Sequence, residues 1–86
     1  MPFSDKAVET ALLKLLDQRV SGASVCPSEV ARALDGARGD EWRELMEPVR
    51  RAAVRLADRG GVVITQRGVP VDARSVQGPI RIRRSE

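Results

Sequence analysis

The chain has 86 residues, of which 42% are hydrophobic and 31% are charged, a balance typical of a folded protein rather than a disordered one. This length predicts one domain over residues 1–86, with an ordered core at about 4–83. No apolar run approaches the roughly 20 residues of a membrane span, and the N-terminus lacks the apolar segment of a signal peptide. We therefore expect a cytoplasmic protein without a membrane partner. One cysteine and no histidine exclude an internal disulfide and predict neither a metal site nor a cofactor.

Charge is distributed unevenly along the chain. Residues 1–47 carry six basic and nine acidic side chains, whereas residues 48–86 carry nine basic and three acidic ones. A basic half is typical of nucleic-acid binding, although a solvated charged face has the same composition. The strong preference for arginine over lysine, together with many alanines, indicates a bacterial source with a GC-rich genome.

The first predicted helix covers about residues 4–19. Ser4 suits its N-cap, and Phe3 can pack on Val8 across the helix start. Apolar side chains recur at helical spacing and predict one buried stripe. The stripe contains Val8, Ala11, Leu12, Leu15 and Leu16.

The second predicted helix is short, beginning at Cys26 and ending at Gly36. Pro27 suits the first helical position, because its missing N–H would have no partner there. Glu29 lies three residues after Cys26, where its carboxylate can accept from the N–H of the capping residue. A very short additional strand can form just before this helix, near Ser24-Val25.

The third predicted helix is the longest, from about 40 to 59, and Gly60-Gly61 ends it. Its apolar side chains share one face, and Trp42 is expected to pack in the core. Pro48 leaves two interpretations open. It either kinks this helix or marks a boundary between a turn at 41–46 and a helix from 48.

Two strands are predicted after the helices, at 62–66 and 79–83. Ile80 and Ile82 alternate with Arg81 and Arg83, so the isoleucines face the core and the arginines face solvent. The wing, residues 67–78, begins with the turn residues Arg67-Gly68-Val69-Pro70. At about twelve residues, the whole connection is too long for a tight turn. Three helices followed by a C-terminal two-stranded β-hairpin form the α+β order of a winged helix-turn-helix.

Three stretches of the sequence form a combined pattern: CPSEVAR from Cys26, VRRAAVRLA from Val49, and ITQ from Ile64 leading through Val71-Asp72 to GPIR from Gly78. Together they resemble a family of small bacterial proteins of unknown function that is assigned to the winged-helix superfamily. The similarity covers about residues 8–83. It implies a winged-helix fold and carries no activity, cofactor or site residue.

The arginines of the basic half predict a function. In a helix-turn-helix the second helix of the pair lies in the major groove, and arginine forms paired hydrogen bonds with phosphate or guanine. We therefore predict non-enzymatic DNA binding, nonspecific or weakly specific, through the third helix and the wing. The predicted nucleic-acid-binding residues are Arg43, Arg50, Arg51, Arg55, Arg67 and Arg74.

Two features count against DNA binding. The start of the third helix is acidic, with Asp40, Glu41, Glu44 and Glu47, and such charges repel phosphate, although they also stabilise a helix N-terminus. The link at 35–40 exceeds the usual turn of about 3–4 residues.

Two other functions remain open. The domain can be a protein-interaction or homo-oligomerisation module, in which the acidic half of one copy meets the basic half of another. Cys26 at a helix N-terminus can be a reactive thiol that senses oxidants or alkylating agents, or simply a buried capping residue. Enzymatic activity has no support, because Gly60-Gly61 lacks the lysine motif of a phosphate loop.

Overall fold

The fold combines helices with one antiparallel sheet. The computed structural model describes residues 3–36 and 41–85. Within these ranges the helices are α1 (Asp5–Asp17), α2 (Pro27–Asp35) and α3 (Met46–Asp58), and a 3-10 helix (Glu41–Leu45) leads directly into α3. The strands are β1 (Ser24–Val25), β2 (Val62–Gln66), β3 (Val69–Pro70) and β4 (Arg81–Arg84), in the sheet order β1-β4-β2-β3. The predicted α+β class is confirmed, and the architecture is compatible with a winged helix.

The predicted starts of the first two helices are confirmed. The Ser4 hydroxyl accepts a hydrogen bond from the Ala7 N–H at 3.1 Å, so Ser4 is the N-cap of α1. The Glu29 carboxylate accepts from the Cys26 N–H at 3.0 Å, so that the capping residue of α2 is itself held. Gly36 ends α2 with a φ of 68°, a left-handed conformation that glycine adopts without strain. Within the described ranges no helix is both long and apolar enough to cross a bilayer.

Pro48 lies near the start of α3 rather than inside a long helix. The prediction of one continuous helix over about 40–59 is wrong, and the alternative of a boundary is correct, although α3 begins at Met46 rather than at Pro48. Pro48 is the third residue of α3. The first four N–H groups of a helix have no intrahelical acceptor, so a proline at this position removes no helical hydrogen bond. Asp40, the predicted start, lies outside the described residues.

β4 is a central strand of the sheet, although it comes last in the chain. Ile82 pairs in register with Val25 of β1 on one side and with Ile64 of β2 on the other. Ile80 and Ile82 are 2% and 0% exposed, which confirms that they face the core. The short strand predicted near Ser24-Val25 is confirmed as β1.

The wing begins with a tight turn, inside the turn predicted at 67–70, and continues with a short strand that was not predicted. Arg67 and Gly68 form a two-residue turn between β2 and β3, with φ values of 54° and 82°. Positive φ at both positions is typical of the two-residue hairpin turns that match strand twist. The prediction that residues 67–78 form one long connection is therefore wrong, since β3 returns along β2 before the chain crosses to β4.

The core is built from aliphatic side chains supplied by all three α-helices and the sheet. Trp42 is only half-buried and packs against the edge of this core, in contrast to the expectation that it lies inside. The largest fully buried side chains are Leu12, Ile80, Ile82, Val8, Val25, Val30 and Val49. The fully buried core is therefore aliphatic, and Trp42 packs at its edge.

We predict that Ile82→Ala lowers the free energy of unfolding by about 2–5 kcal/mol, because it removes buried carbon atoms and leaves a cavity in the core beneath β4. Urea denaturation measures this change. Val69→Ala is the control, since Val69 lies in the same sheet but is 60% exposed. An equal loss in both variants would contradict the central role of β4.

Candidate functional site

An open groove of about 410 Å³ lies beside α3 and brings together four of the six predicted nucleic-acid-binding residues. Side chains of α3 and of residues 73–74 line it. We call it the arginine groove; its lining residues are Glu47, Arg50, Arg51, Val54, Arg55, Ala73 and Arg74. Arg43 and Arg67 do not line it.

Arg50 holds part of the wing against α3. Its guanidinium donates from Nη2 to the Val76 carbonyl at 2.9 Å and from Nη1 to the Gly78 carbonyl at 3.2 Å. From β2, the Gln66 amide donates to the carbonyls of residues 77 and 79 at 2.7 and 3.3 Å. The 76–79 segment is thus fixed by two side chains. Since carbonyls are neutral, Arg50 keeps its full positive charge.

Arg51 and Arg67 also keep their charge. The side chain of Arg51 is 58% exposed, and its Nη1 lies 3.9 Å from Oε1 of Glu47, too far for a hydrogen bond. Arg67 is exposed in the β2–β3 turn and forms no ion pair with any residue that the structure describes. These two side chains are therefore available to an anionic ligand.

Arg55 and Arg74, in contrast, are paired with carboxylates. Arg55 Nε donates to Oε2 of Glu9 at 2.6 Å, and this hydrogen bond is the main reason why the pKa of Glu9 is lowered. Arg74 donates to Asp58, which raises the pKa of the Arg74 guanidinium, and its Nη1 lies 3.5 Å from Oδ1 of Asp72. The net charge that these two arginines contribute to the groove is therefore small.

Arg43 lies in the 3-10 helix, outside the arginine groove. Its guanidinium carbon lies 4.7 Å from the centre of the Trp42 ring, and that of Arg32 lies 4.3 Å from the same ring. Such contacts are attractive through the ring quadrupole. They connect α2 to the 3-10 helix and leave Trp42 in a packed, cationic environment.

Cys26 is half-buried and contacts Arg81, which is not among the six predicted nucleic-acid-binding residues. Arg81 of β4 donates to Sγ of Cys26, and also to the hydroxyl and carbonyl of Ser24 at 2.8 and 3.1 Å. Cys26, Arg67 and Arg81 contribute to a second groove of about 500 Å³. Arg81 is exposed, as predicted. Its contact with Cys26 depends on the pairing of β1 with β4, for which the sequence offers no local signal.

The acidic and basic halves of the sequence meet within one chain. Glu9 of α1 accepts from both Arg55 and Arg59, and Asp17 accepts from Arg84. Oδ1 of Asp5 lies 3.8 Å from Nη2 of Arg55. Part of the charge that self-association through opposite halves would use is thus already paired inside the molecule.

A known protein family matches the part of the chain that forms the fold. The sequence model of a family described as "Protein of unknown function (DUF3253)" matches residues 5–85. The chain belongs to this family, which confirms the predicted resemblance to a family of unknown function. No curated protein matches the chain. Any function must therefore be argued from the geometry.

We predict that Glu9→Gln lowers the free energy of unfolding at pH 7 by about 1 kcal/mol, because the variant loses the charge between two arginines. The folded-state pKa of Glu9 lies below its ordinary value of 4.5. Its stabilising effect is therefore present above pH 4.5 and is lost as the pH falls through the lower, folded pKa. Urea denaturation at pH 7 and pH 3 checks this: the gap between wild type and variant should shrink at pH 3. Glu44→Gln, at an exposed carboxylate, is the control, and a gap that persists at pH 3 would contradict the assignment.

We predict that Arg50→Gln loosens the 76–79 segment, because glutamine is too short to donate to both the Val76 and Gly78 carbonyls. NMR relaxation should show lower backbone order parameters at these residues. Arg51→Gln is a matched control, since it removes the same charge from the neighbouring position of α3. Unchanged order parameters in Arg50→Gln would show that Gln66 alone fixes the segment.

Proposed function

We propose that this family member is a winged-helix protein that binds DNA through its phosphate backbone and catalyses no reaction. The sheet order, with β4 between β1 and β2, supports this, and so does the position of α3 as the second helix of the α2–α3 pair. In a helix-turn-helix that second helix enters the major groove. The wing then lies beside the helix that contacts DNA.

The observation that carries the proposal is the set of arginines without a carboxylate hydrogen-bond partner. Arg50 and Arg51 lie on α3, and Arg67 lies in the turn that opens the wing. The 76–79 segment connects these elements, because Arg50 holds it from α3 and Gln66 holds it from β2. Guanidinium groups on a helix and a neighbouring hairpin can each bind one phosphate of the backbone.

The other predicted residues have supporting roles in this proposal. Arg55 and Arg74 fix α3 to α1 and to the wing, and they act on DNA only through the overall electrostatic field. Arg43 lies at the 3-10 helix, where it adds positive charge next to Trp42. Glu47 also lies in the arginine groove and repels phosphate, so the charge of Arg50 and Arg51 must outweigh it. Because guanidinium–phosphate contacts carry no direct sequence information, we propose backbone binding with weak sequence preference.

We predict that the double variant Arg51→Gln, Arg67→Asn weakens binding to a fluorescently labelled duplex. Each phosphate contact adds about 0.9 to the negative slope of log affinity against log salt, so the slope should fall in magnitude by about 1.8. Asparagine is chosen at Arg67 because it tolerates the positive φ of that residue. Fluorescence anisotropy over a salt series at low ionic strength measures the slope.

The control is Lys6→Gln, Lys14→Gln, which removes the same charge from exposed positions on α1. It should retain the wild-type slope, because neither lysine lines the arginine groove or the second groove. Absence of duplex binding by the wild type at low salt, or equal slopes in the two double variants, would refute the proposal.

A further inference from the structure

We infer that the arginine groove is a discrete binding site for a single phosphate group, carried either by a nucleic-acid backbone or by a free phosphorylated small molecule. The nucleic-acid source rests on the proposed function. The site itself rests on the shape, charge and fixed geometry of the groove.

The groove has the size of a small-ligand site. Its volume of about 410 Å³ lies within the usual range for such sites, roughly 300–1,000 Å³. Val54 and Ala73 add apolar surface to the lining, which the carbon atoms next to a phosphate ester can contact. A phosphate ester therefore fits the groove better than a bare inorganic ion.

Two of the lining guanidiniums are held in place before any ligand binds. Arg50 is fixed by two wing carbonyls, and Arg74 is fixed by Asp58. A guanidinium has five N–H donors, so each of these side chains retains donors for a further acceptor. Because their positions are already fixed, binding a phosphate costs little additional side-chain entropy.

The unpaired charge in the groove matches one phosphate. Arg55 and Arg74 donate hydrogen bonds to carboxylates, whereas Arg50 donates to carbonyls and Arg51 has only a loose, exposed ion pair with Glu47. Glu47 is the one carboxylate among the groove's described lining residues. Its side chain is 70% exposed and lies at 3.9 Å from Arg51, so a phosphate can replace it as the partner of Arg51 while Glu47 turns to solvent.

This exchange predicts opposite effects for two neighbouring substitutions. Arg51→Gln should weaken phosphate binding by about tenfold, the loss of one charge-assisted contact. Glu47→Gln should tighten it, because it removes the competing carboxylate. Both side chains are more than half exposed, so both variants should fold, and urea denaturation verifies this. Glu41→Gln, at an exposed site outside the groove, should leave the affinity for phosphate unchanged.

The experiment is an NMR titration of the folded, ¹⁵N-labelled chain with the phosphate monoester ribose 5-phosphate, read at the arginine Nε–Hε signals. We expect saturable chemical-shift changes at the groove arginines. Glu47→Gln should bind most tightly, the wild type less tightly, and Arg51→Gln least tightly. Absence of saturation, equal shifts at arginines throughout the chain, or equal affinities in the three proteins would overturn the site.

Competition with a labelled DNA duplex then identifies the source of the phosphate. Displacement of the duplex at ribose 5-phosphate concentrations that saturate the groove supports a backbone phosphate. If the groove saturates but no duplex binds at low salt, the proposed function fails, and the site stands as one for a free phosphorylated small molecule. If the duplex binds but ribose 5-phosphate leaves the groove signals unshifted, the proposed function stands and the inference fails.

Discussion

The packing of β4 between β1 and β2 is the interaction on which the rest of the structure depends. β4 is the last strand of the chain, yet Ile82 pairs with the first strand on one side and with β2 on the other. The sheet therefore connects α1 and α2 to α3 only when the C-terminal strand is in place. The same arrangement places Arg81 beside Cys26, and the end of the wing contacts α3 through Arg50.

Local chemistry explains why much of the fold follows from the sequence. Ser4 and Glu29 each accept a hydrogen bond from a backbone N–H three residues away, so short sequence patterns reveal the starts of α1 and α2. The alternation of Ile80 and Ile82 with arginines likewise reveals which face of β4 is buried. The strand β3 that follows the Arg67-Gly68 turn was not predicted, because Pro70 argues against a strand. In the structure, Pro70 lies in an edge strand, where a missing N–H is tolerated.

The sequence predicts which residue type forms the site, but it does not predict which of the arginines are paired with carboxylates. Sequence reasoning placed the arginines on α3 and the wing, and four of them do share one groove. It treated Arg51 and Arg55 as equivalent, whereas Arg51 is open to solvent and Arg55 is bound to Glu9, which lies 46 positions earlier in the chain. Partners so distant in sequence are set by the packing of α1 on α3, which no spacing rule reveals.

The outer edge of the sheet beyond β2 ends in a strand of two residues, and one of them is Pro70. A proline has no N–H to offer to another chain, and two residues give little length for hydrogen bonding. Growth of the sheet by strand addition is therefore disfavoured on this side. Contacts between copies of the molecule at this edge would have to be made by side chains such as the exposed Val69.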